Sequence, residues 1–222
     1  MKKLIAVILC LILCVTFTAC GEKGITVHVV ISSEGTLAAA GEDILVTDTD
    51  KDGVYTIHDA LTCAHDKLCK GGYADEETEY GMSITRLWGV ANGCSGYGYY
   101  VDNVGAMSPA DPIADGAWLA AYSYSDLTAW SDTYCFFDTF TAEAGADEAL
   151  TLTLSAAAFD ENFNPVTLPV AGAVIIVDGA ETAFVTDESG AVTVTLPAGE
   201  HVLSAVSTEQ NLVPTVCLVS VK

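Results

Sequence analysis

The chain carries 30 acidic and 8 basic side chains in 222 residues, a formal net charge of −22. A surface of that sign repels phosphate, which excludes nucleic acid as a partner and excludes docking on anionic lipid through charge. Every acidic residue lies beyond residue 20, and the chain beyond that point is long enough for one large domain or two small ones.

Lys2 and Lys3 are followed by an apolar run from Leu4 to Phe17. The run falls short of the roughly 20 residues that span a bilayer, and its length suits the core of an export signal. It ends Phe17-Thr18-Ala19-Cys20. An apolar residue, two small residues and a cysteine resemble the lipobox of bacterial lipoproteins, with Phe17 where leucine is usual. The resemblance implies that residues 1–20 are a lipoprotein signal peptide and that Cys20 carries lipid. It further implies a chain that is extracytoplasmic and anchored to the bacterial cell membrane. An ordinary signal peptide cut near Ala19 is the alternative. Beyond Cys20 the cysteines are Cys63, Cys69, Cys94, Cys135 and Cys217, an odd number without a CxxC pair. Reduced cysteines, not a disulfide framework, are expected.

Ile25, Val27, Val29 and Ile31 alternate with Thr26, His28, Val30 and Ser32, the period of a half-buried strand. Ser33-Glu34-Gly35 turns the chain. Thr36–Ala40 and Ile44–Thr47 read as two further strands with Gly41-Glu42-Asp43 between them. A helix is expected from about His58 to Leu68, because Ala60, Leu61, Ala64 and Leu68 share one face. Lys67 and Lys70 favour its negative end, and Gly71-Gly72 stops it. Residues 73–140 are rich in aromatics and glycine. Leu87-Trp88, Tyr97–Val101, Trp118–Tyr124 and Tyr134–Phe137 are strand-like there, with turns at Asn92-Gly93, Asp102-Asn103 and Asp115-Gly116.

Thr141 to Glu148 is small and acidic and reads as a linker. Beyond it Thr, Val, Ala and Leu dominate. Leu150, Leu152 and Leu154 alternate with polar residues, and Val174–Val177, Ala183–Thr186, Val192–Leu196 and His201–Val206 are separated by turns. Strands at that spacing suggest a β-sandwich. The expected fold is mainly β with one or two helices. An α+β domain over residues 21–140 would precede an all-β sandwich over 149–222.

The sharpest chemical motif is Asp48-x-Asp50-x-Asp52-Gly53-x-x-Thr56-x-x-Asp59. It puts oxygens at positions 1, 3, 5, 9 and 12 of a twelve-residue loop with Gly at position 6, and the Val54 carbonyl would supply position 7. The stretch resembles EF-hand loops and, more closely, dockerin loops, which end in Asp and run into a helix. The resemblance implies calcium on Asp48, Asp50, Asp52, Val54, Thr56 and Asp59. The alternative is an acidic turn with Asp59 as a helix cap. No second copy follows, so a cohesin partner is not expected.

Gly81-Met82-Ser83-Ile84, Gly96-Tyr97-Gly98-Tyr99-Tyr100-Val101-Asp102-Asn103 and Ile113-Ala114-Asp115-Gly116-Ala117-Trp118 resemble the transcobalamin-like C-terminal domain of exported bacterial proteins. In transcobalamins that domain caps a corrinoid held by a helical barrel, and this sequence has no such barrel, so a corrinoid is not expected. Pro169–Ala173, Thr186–Gly190 and Leu196–His201 resemble the carboxypeptidase-regulatory-like and pilin-type β-sandwich domains, which serve as stalks or accessory modules. The only Lys beyond Arg86 is Lys222, which argues against an isopeptide cross-link.

No GxSxG, HExxH or phosphate loop occurs. His58 and His65 would lie about 10 Å apart on a helix, too far to share one ion. Cys63 and His65, two apart, point different ways. Trp88, Tyr97, Tyr99, Tyr100 and Trp118 are candidates for a ligand-stacking surface, with core packing as the alternative. A calcium-stabilised, non-catalytic binding or display protein is therefore expected, its partner a surface ligand, glycan or protein. The alternative is a hydrolase of surface polysaccharide with a carboxylate pair, for which Asp102 and Asp115 are candidates.

Overall fold

A computed structural model describes residues 23–222, so the lipidation expected at Cys20 lies outside the described residues. The fold is mainly β, with one α-helix among the described residues and two separate apolar cores. No helix among these residues is long and apolar enough to cross a membrane.

The first core belongs to a five-stranded sheet. Strands β1 (Ile25–Ser33) and β2 (Thr36–Val46) form an antiparallel hairpin. β1 then pairs in parallel with β7 (Trp118–Ser123), which pairs with β5 (Tyr97–Val101) and, at the edge, β6 (Val104–Gly105). A parallel pair needs a long crossover. Here the crossover contains helix α1 (Ile57–Leu68) and the hairpin of β3 (Ala74–Thr78) and β4 (Gly81–Arg86).

Val27, Val29 and Ile31 are fully buried on one face of β1 and pack with Ile57, Leu61 and Ala64 of α1 in the first core. Burying side chains of this size contributes about 1.5–3 kcal/mol each. The alternation fails at the end of β1, where Val30 and Ser32 are buried as well. The second module covers that face, and the Ser32 hydroxyl donates to the Pro214 carbonyl at 2.7 Å.

The segments expected as two strands around Gly41 are one bulged strand, β2. Gly41 is required at its bulge: its φ is +79°, and a Cβ there would lie 2.8 Å from the Trp118 ring. Leu87-Trp88, expected as strand, is a tight turn in which Leu87 bridges Val90 and Trp88 takes a φ of +49°.

The second core lies between two sheets. One contains β11 (Pro165–Pro169), β10 (Ala149–Phe159), β8 (Asp132–Phe137) and β16 (Asn211–Val213), with β14 (Ala191–Thr195) also on β10. The other runs β13 (Ala180–Val185), β12 (Val174–Val177), β15 (Gly199–Val206), β17 (Cys217–Val221), β9 (Thr141–Ala144). Strand β10 serves both halves of its sheet: Ala149–Thr153 pair with β14, whereas Leu154 onward pairs with β8 and β11. Phe137, Leu152, Leu154, Ile175 and Leu203 fill the space between the sheets and are essentially inaccessible.

The expected linker, Thr141 to Glu148, needs correction. Its first half is β9, paired in parallel with β17 from Leu218↔Thr141 to Val221↔Ala144. β8, expected in the first domain, also pairs within the second module. The changeover instead falls at residues 124–131. That turn is held by Asp132, which accepts from Ser125 and Asp126, and by Asp126, which accepts from Thr128, Ala129 and Ser131. The Ala129 amide, the Ser131 hydroxyl and the Thr128 amide draw the Asp126 carboxyl down to about 2.

Candidate functional site

The modules meet along an aromatic seam. Tyr122 from β7, Tyr134 from β8 and Val213 from β16 are buried together, with Tyr100, Tyr124 and Phe136 packed around them. Tyr100 stacks on Tyr134 with centroids 3.7 Å apart and planes 9° apart. The Tyr134 hydroxyl donates to Asn103 Oδ1 at 2.8 Å, which ties the second module to the β5–β6 turn. That turn needs left-handed backbone at two successive residues, and Asp102 (φ +50°) and Asn103 (φ +64°) are residue types that tolerate it.

Above the seam lies an open groove of about 680 Å³. One wall is β5 and β6 with the following residues to Met107; the other is the hairpin of β10 and β11, with Ala157, Phe159 and Val166. The floor is Tyr122, Tyr124 and Phe136. Gly98 makes the floor possible, because a Cβ there would fall 2.3 Å from the Tyr122 ring. The Tyr122 hydroxyl donates to Tyr124 Oη at 3.3 Å. Among the described residues, no acidic, basic or histidine side chain lines the groove. Burial raises the phenol of Tyr122 well above its usual value, reinforced by the Tyr124 hydrogen bond, and burial raises Tyr100 too. These phenols therefore remain neutral hydrogen-bonding groups.

The aromatic residues expected as a ligand surface divide. Tyr99 and Tyr100 line the groove. Tyr97 reaches it as well, but its hydroxyl accepts from the Asn92 amide at 2.7 Å and faces the carbonyls of Thr85 and Val90, so it chiefly locks a turn. Trp88 packs on the first core, edge-on to His65 at 5.5 Å. Trp118 is sandwiched between His28 at 4.6 Å and Phe140 at 4.5 Å. Neither tryptophan lines the groove. Sequence reasoning missed Met107, Phe136, Phe159 and Pro165, which come from segments far apart in the chain. Phe159 offered a faint signal, as a large apolar residue at a strand end beside the polar turn Asp160–Asn164.

Asp102 and Asp115 do not line the groove either. Asp102 accepts from the Trp118 amide at 2.9 Å, and Asp115 accepts from the Thr26 amide at 2.7 Å. Asp102 thus fastens the end of β5 to the start of β7, and Asp115 fastens the start of β1 to the turn before β7.

The acidic loop is a second, separate feature. Carboxylate oxygens of Asp48, Asp50 and Asp52 come within 4.8 Å of one another. Asp48 accepts from the amides of Lys51, Asp52 and Gly53, and Asp52 accepts from the Val54 amide at 2.7 Å. Three carboxylates held in one turn, Asp48 half-buried and Asp50 and Asp52 exposed, fit a hard divalent cation by donor chemistry.

Thr56 and Asp59 are placed differently from the loop reading. Thr56 is the N-cap of α1 and forms a reciprocal capping box with Asp59. Asp59 is fully buried, and its carboxylate accepts from the amide and hydroxyl of Thr49 and from the amide and hydroxyl of Thr56. Burial opposes its ionisation, but these bonds together outweigh burial and hold the carboxyl below its usual value. Every acceptor direction of Asp59 is thus already in use, which is the helix-cap alternative weighed above.

The histidines are structural. His65 is buried with Nδ1 on the Leu61 carbonyl at 2.7 Å and Nε2 accepting from the Trp88 amide at 3.1 Å. His58 Nδ1 meets the Tyr73 hydroxyl at 3.2 Å. Cys63, Cys69, Cys94, Cys135 and Cys217 are all free of disulfides.

No family model matches this chain, and no curated protein matches it. Among solved structures it is similar to the N-terminal four Ig domains of Dscam1 isoform 9.44, at 8% identity and a TM-score of 0.26 over 67% of this chain and 32% of that one. It is also similar to SGBP-B of the Bacteroides ovatus mixed-linkage glucan utilization locus, solved with a mixed-linkage heptasaccharide. That match has 16% identity and a TM-score of 0.24, over 68% of this chain and 35% of that one. The chain spans about a third of the length of each of these structures, and neither likeness bears on the site.

Proposed function

We propose that this chain is a lipid-anchored surface protein of a bacterial cell that binds a ligand without transforming it, in the groove between its two modules. The observation that carries the binding reading is the groove itself: an open, tyrosine-floored cleft without ionisable side chains, within the range of about 300–1,000 Å³ typical of ligand sites. The anchor rests on the export signal and on Cys20. Mass analysis of the membrane-released protein should find acyl groups on Cys20, and an unmodified N-terminus would remove the anchor from the proposal.

The binding reading is tested with an array of glycans, peptides and cofactors, probed with the wild type and with Phe159→Glu, which puts a charge on an exposed lip of the groove. The array ligand should lose affinity in the variant and be recovered unchanged after incubation with the wild type. Binding indifferent to Phe159→Glu would move the site elsewhere, and turnover of the ligand would replace binding with catalysis.

We also propose calcium on the acidic loop, through Asp48, Asp50 and Asp52 with the Val54 carbonyl. When bound, the ion would neutralise clustered charge and stiffen the entry to α1. Thr56 and Asp59 would serve the helix cap beneath it.

A further inference from the structure

The chemistry of the groove narrows its ligand. Among the described residues of this strongly acidic chain, no acidic and no basic side chain lines the cleft. Even in this open cleft an ionic ligand would give up part of its hydration and gain no counter-charge. The ligand is therefore neutral.

It must also carry hydroxyls or similar groups. Tyr124 accepts from Tyr122 and keeps its own proton to donate. Asn103 uses its carbonyl oxygen for Tyr134, and its amide nitrogen has no hydrogen-bond partner among the described residues. The Tyr100 hydroxyl likewise has none there. These are neutral, amphipathic groups on aromatic rings, set against the apolar lips Val104, Met107 and Phe159, which are 70%, 90% and 69% exposed. Such a surface takes a ligand with apolar C–H faces and a hydroxyl rim.

An extended peptide is the competing class, since edge strands β6 and β11 flank the groove. Strand addition needs a row of free backbone donors. β11 begins and ends in proline, Pro165 and Pro169, which lack N–H, and β6 has only two residues. Both edges are poor templates for a peptide.

We infer that the groove between the β5–β6 and β10–β11 hairpins binds a segment of a neutral polysaccharide. This rests on the groove being the ligand site proposed above. Because the cleft is open, an internal stretch of the polymer can lie in it.

The test is affinity electrophoresis of the protein through gels containing dextran, xyloglucan, glucomannan or galactan, with alginate as the anionic polymer. Tyr124→Ala and Phe159→Ala alter the groove, and Tyr80→Ala, which is exposed and outside it, is the control. Melting temperatures confirm that each variant folds. At least one neutral polymer should retard the wild type and Tyr80→Ala, while Tyr124→Ala binds about five- to thirtyfold more weakly, the loss expected on truncating an aromatic anchor.

Retardation by alginate alone, or no retardation by any neutral polymer, overturns the polysaccharide inference. In that case a peptide or other array ligand whose affinity still falls in Tyr124→Ala and Phe159→Glu leaves the groove as the site. Neutral-polymer binding that is equal in all variants overturns the groove reading itself.

Discussion

The acidic loop and the aromatic groove are built in opposite ways. The loop is local: Asp48, Asp50 and Asp52 and the amides they accept from lie within six consecutive residues or their immediate neighbour Val54. It concentrates charge at the surface of one module. The groove is non-local and uncharged, and its walls belong to hairpins on opposite sides of the module seam. A local site can survive disturbance of the seam, whereas a site made by docking two modules cannot. The following changes press on that difference.

The largest effect is expected from Tyr134→Ala. Tyr134 is buried between Tyr100, Tyr122 and Phe136 and is the side chain that joins Asn103 to the second module. Truncation of a buried aromatic costs about 3–5 kcal/mol. Urea unfolding should shift to a much lower midpoint and split into two transitions, one per core. A single transition with an unchanged midpoint would mean that the seam does not couple the modules. Cation binding at Asp48, Asp50 and Asp52 should persist in this variant while groove binding disappears.

The same contrast sets what the sequence made legible. The alternation of Val27, Val29 and Ile31 and the shared face of Ala60, Leu61 and Ala64 are short-range periodicities, and both elements appear where the pattern put them. The acidic turn was legible for the same reason. β9 was not. Its Thr-Ala-Glu-Ala sequence is half-exposed at a sheet edge and has no large apolar residue, so composition resembled a linker although β17 recruits it as a strand. The Thr56–Asp59 pair was ambiguous because a loop ligand and a capping box ask for the same residue types at the same spacing. Tyr99 and Tyr100 were visible as aromatics, but whether a ring faces solvent or core depends on residues some 60 positions away, such as Ala157 and Phe159.

A smaller effect separates the two roles within the acidic segment. Asp59→Ala removes the returning half of the α1 capping box and leaves the buried Thr56 amide and hydroxyl without their acceptor, while also freeing the loop donors of Thr49, at a cost of about 2 kcal/mol with or without calcium. Asp50→Ala, on the exposed turn, should change stability in chelator by no more than about 0.5 kcal/mol. It should instead abolish the gain from calcium, which for the wild type reaches about 2.7 kcal/mol at a hundredfold excess over Kd. Thermal melts in calcium and in chelator give all four values. An equal calcium response in Asp50→Ala and wild type would remove the ion from this loop. Acid should reproduce part of the Asp59 effect. Its folded carboxyl titrates below the unfolded one, so its contribution is complete above the unfolded value and is lost as pH falls through the folded value.

The smallest effect compares the modules through one histidine in each. His65, in the first module, is lowered chiefly by burial; the Leu61 carbonyl and the charge of Asp66 only partly offset this. Its unfolded form takes up a proton first on acidification, so the first module loses stability as pH falls below about 6.5. His201, in the second module, is raised by its bond to Asp178 at 2.8 Å and by the Pro197 carbonyl. There the folded form takes up the proton first, so its contribution is complete below the unfolded value and is lost as pH rises through the folded one. Between pH 7.5 and 5.5 these two groups push the modules in opposite directions. Amide hydrogen exchange, corrected for intrinsic rates, should show protection falling around α1 and rising in β15 and β17. His65→Gln should flatten the first trend alone, and His201→Gln the second alone. If either variant flattened both, the coupling through the Tyr134 seam would reach even these local openings, and the two trends would not report on separate modules.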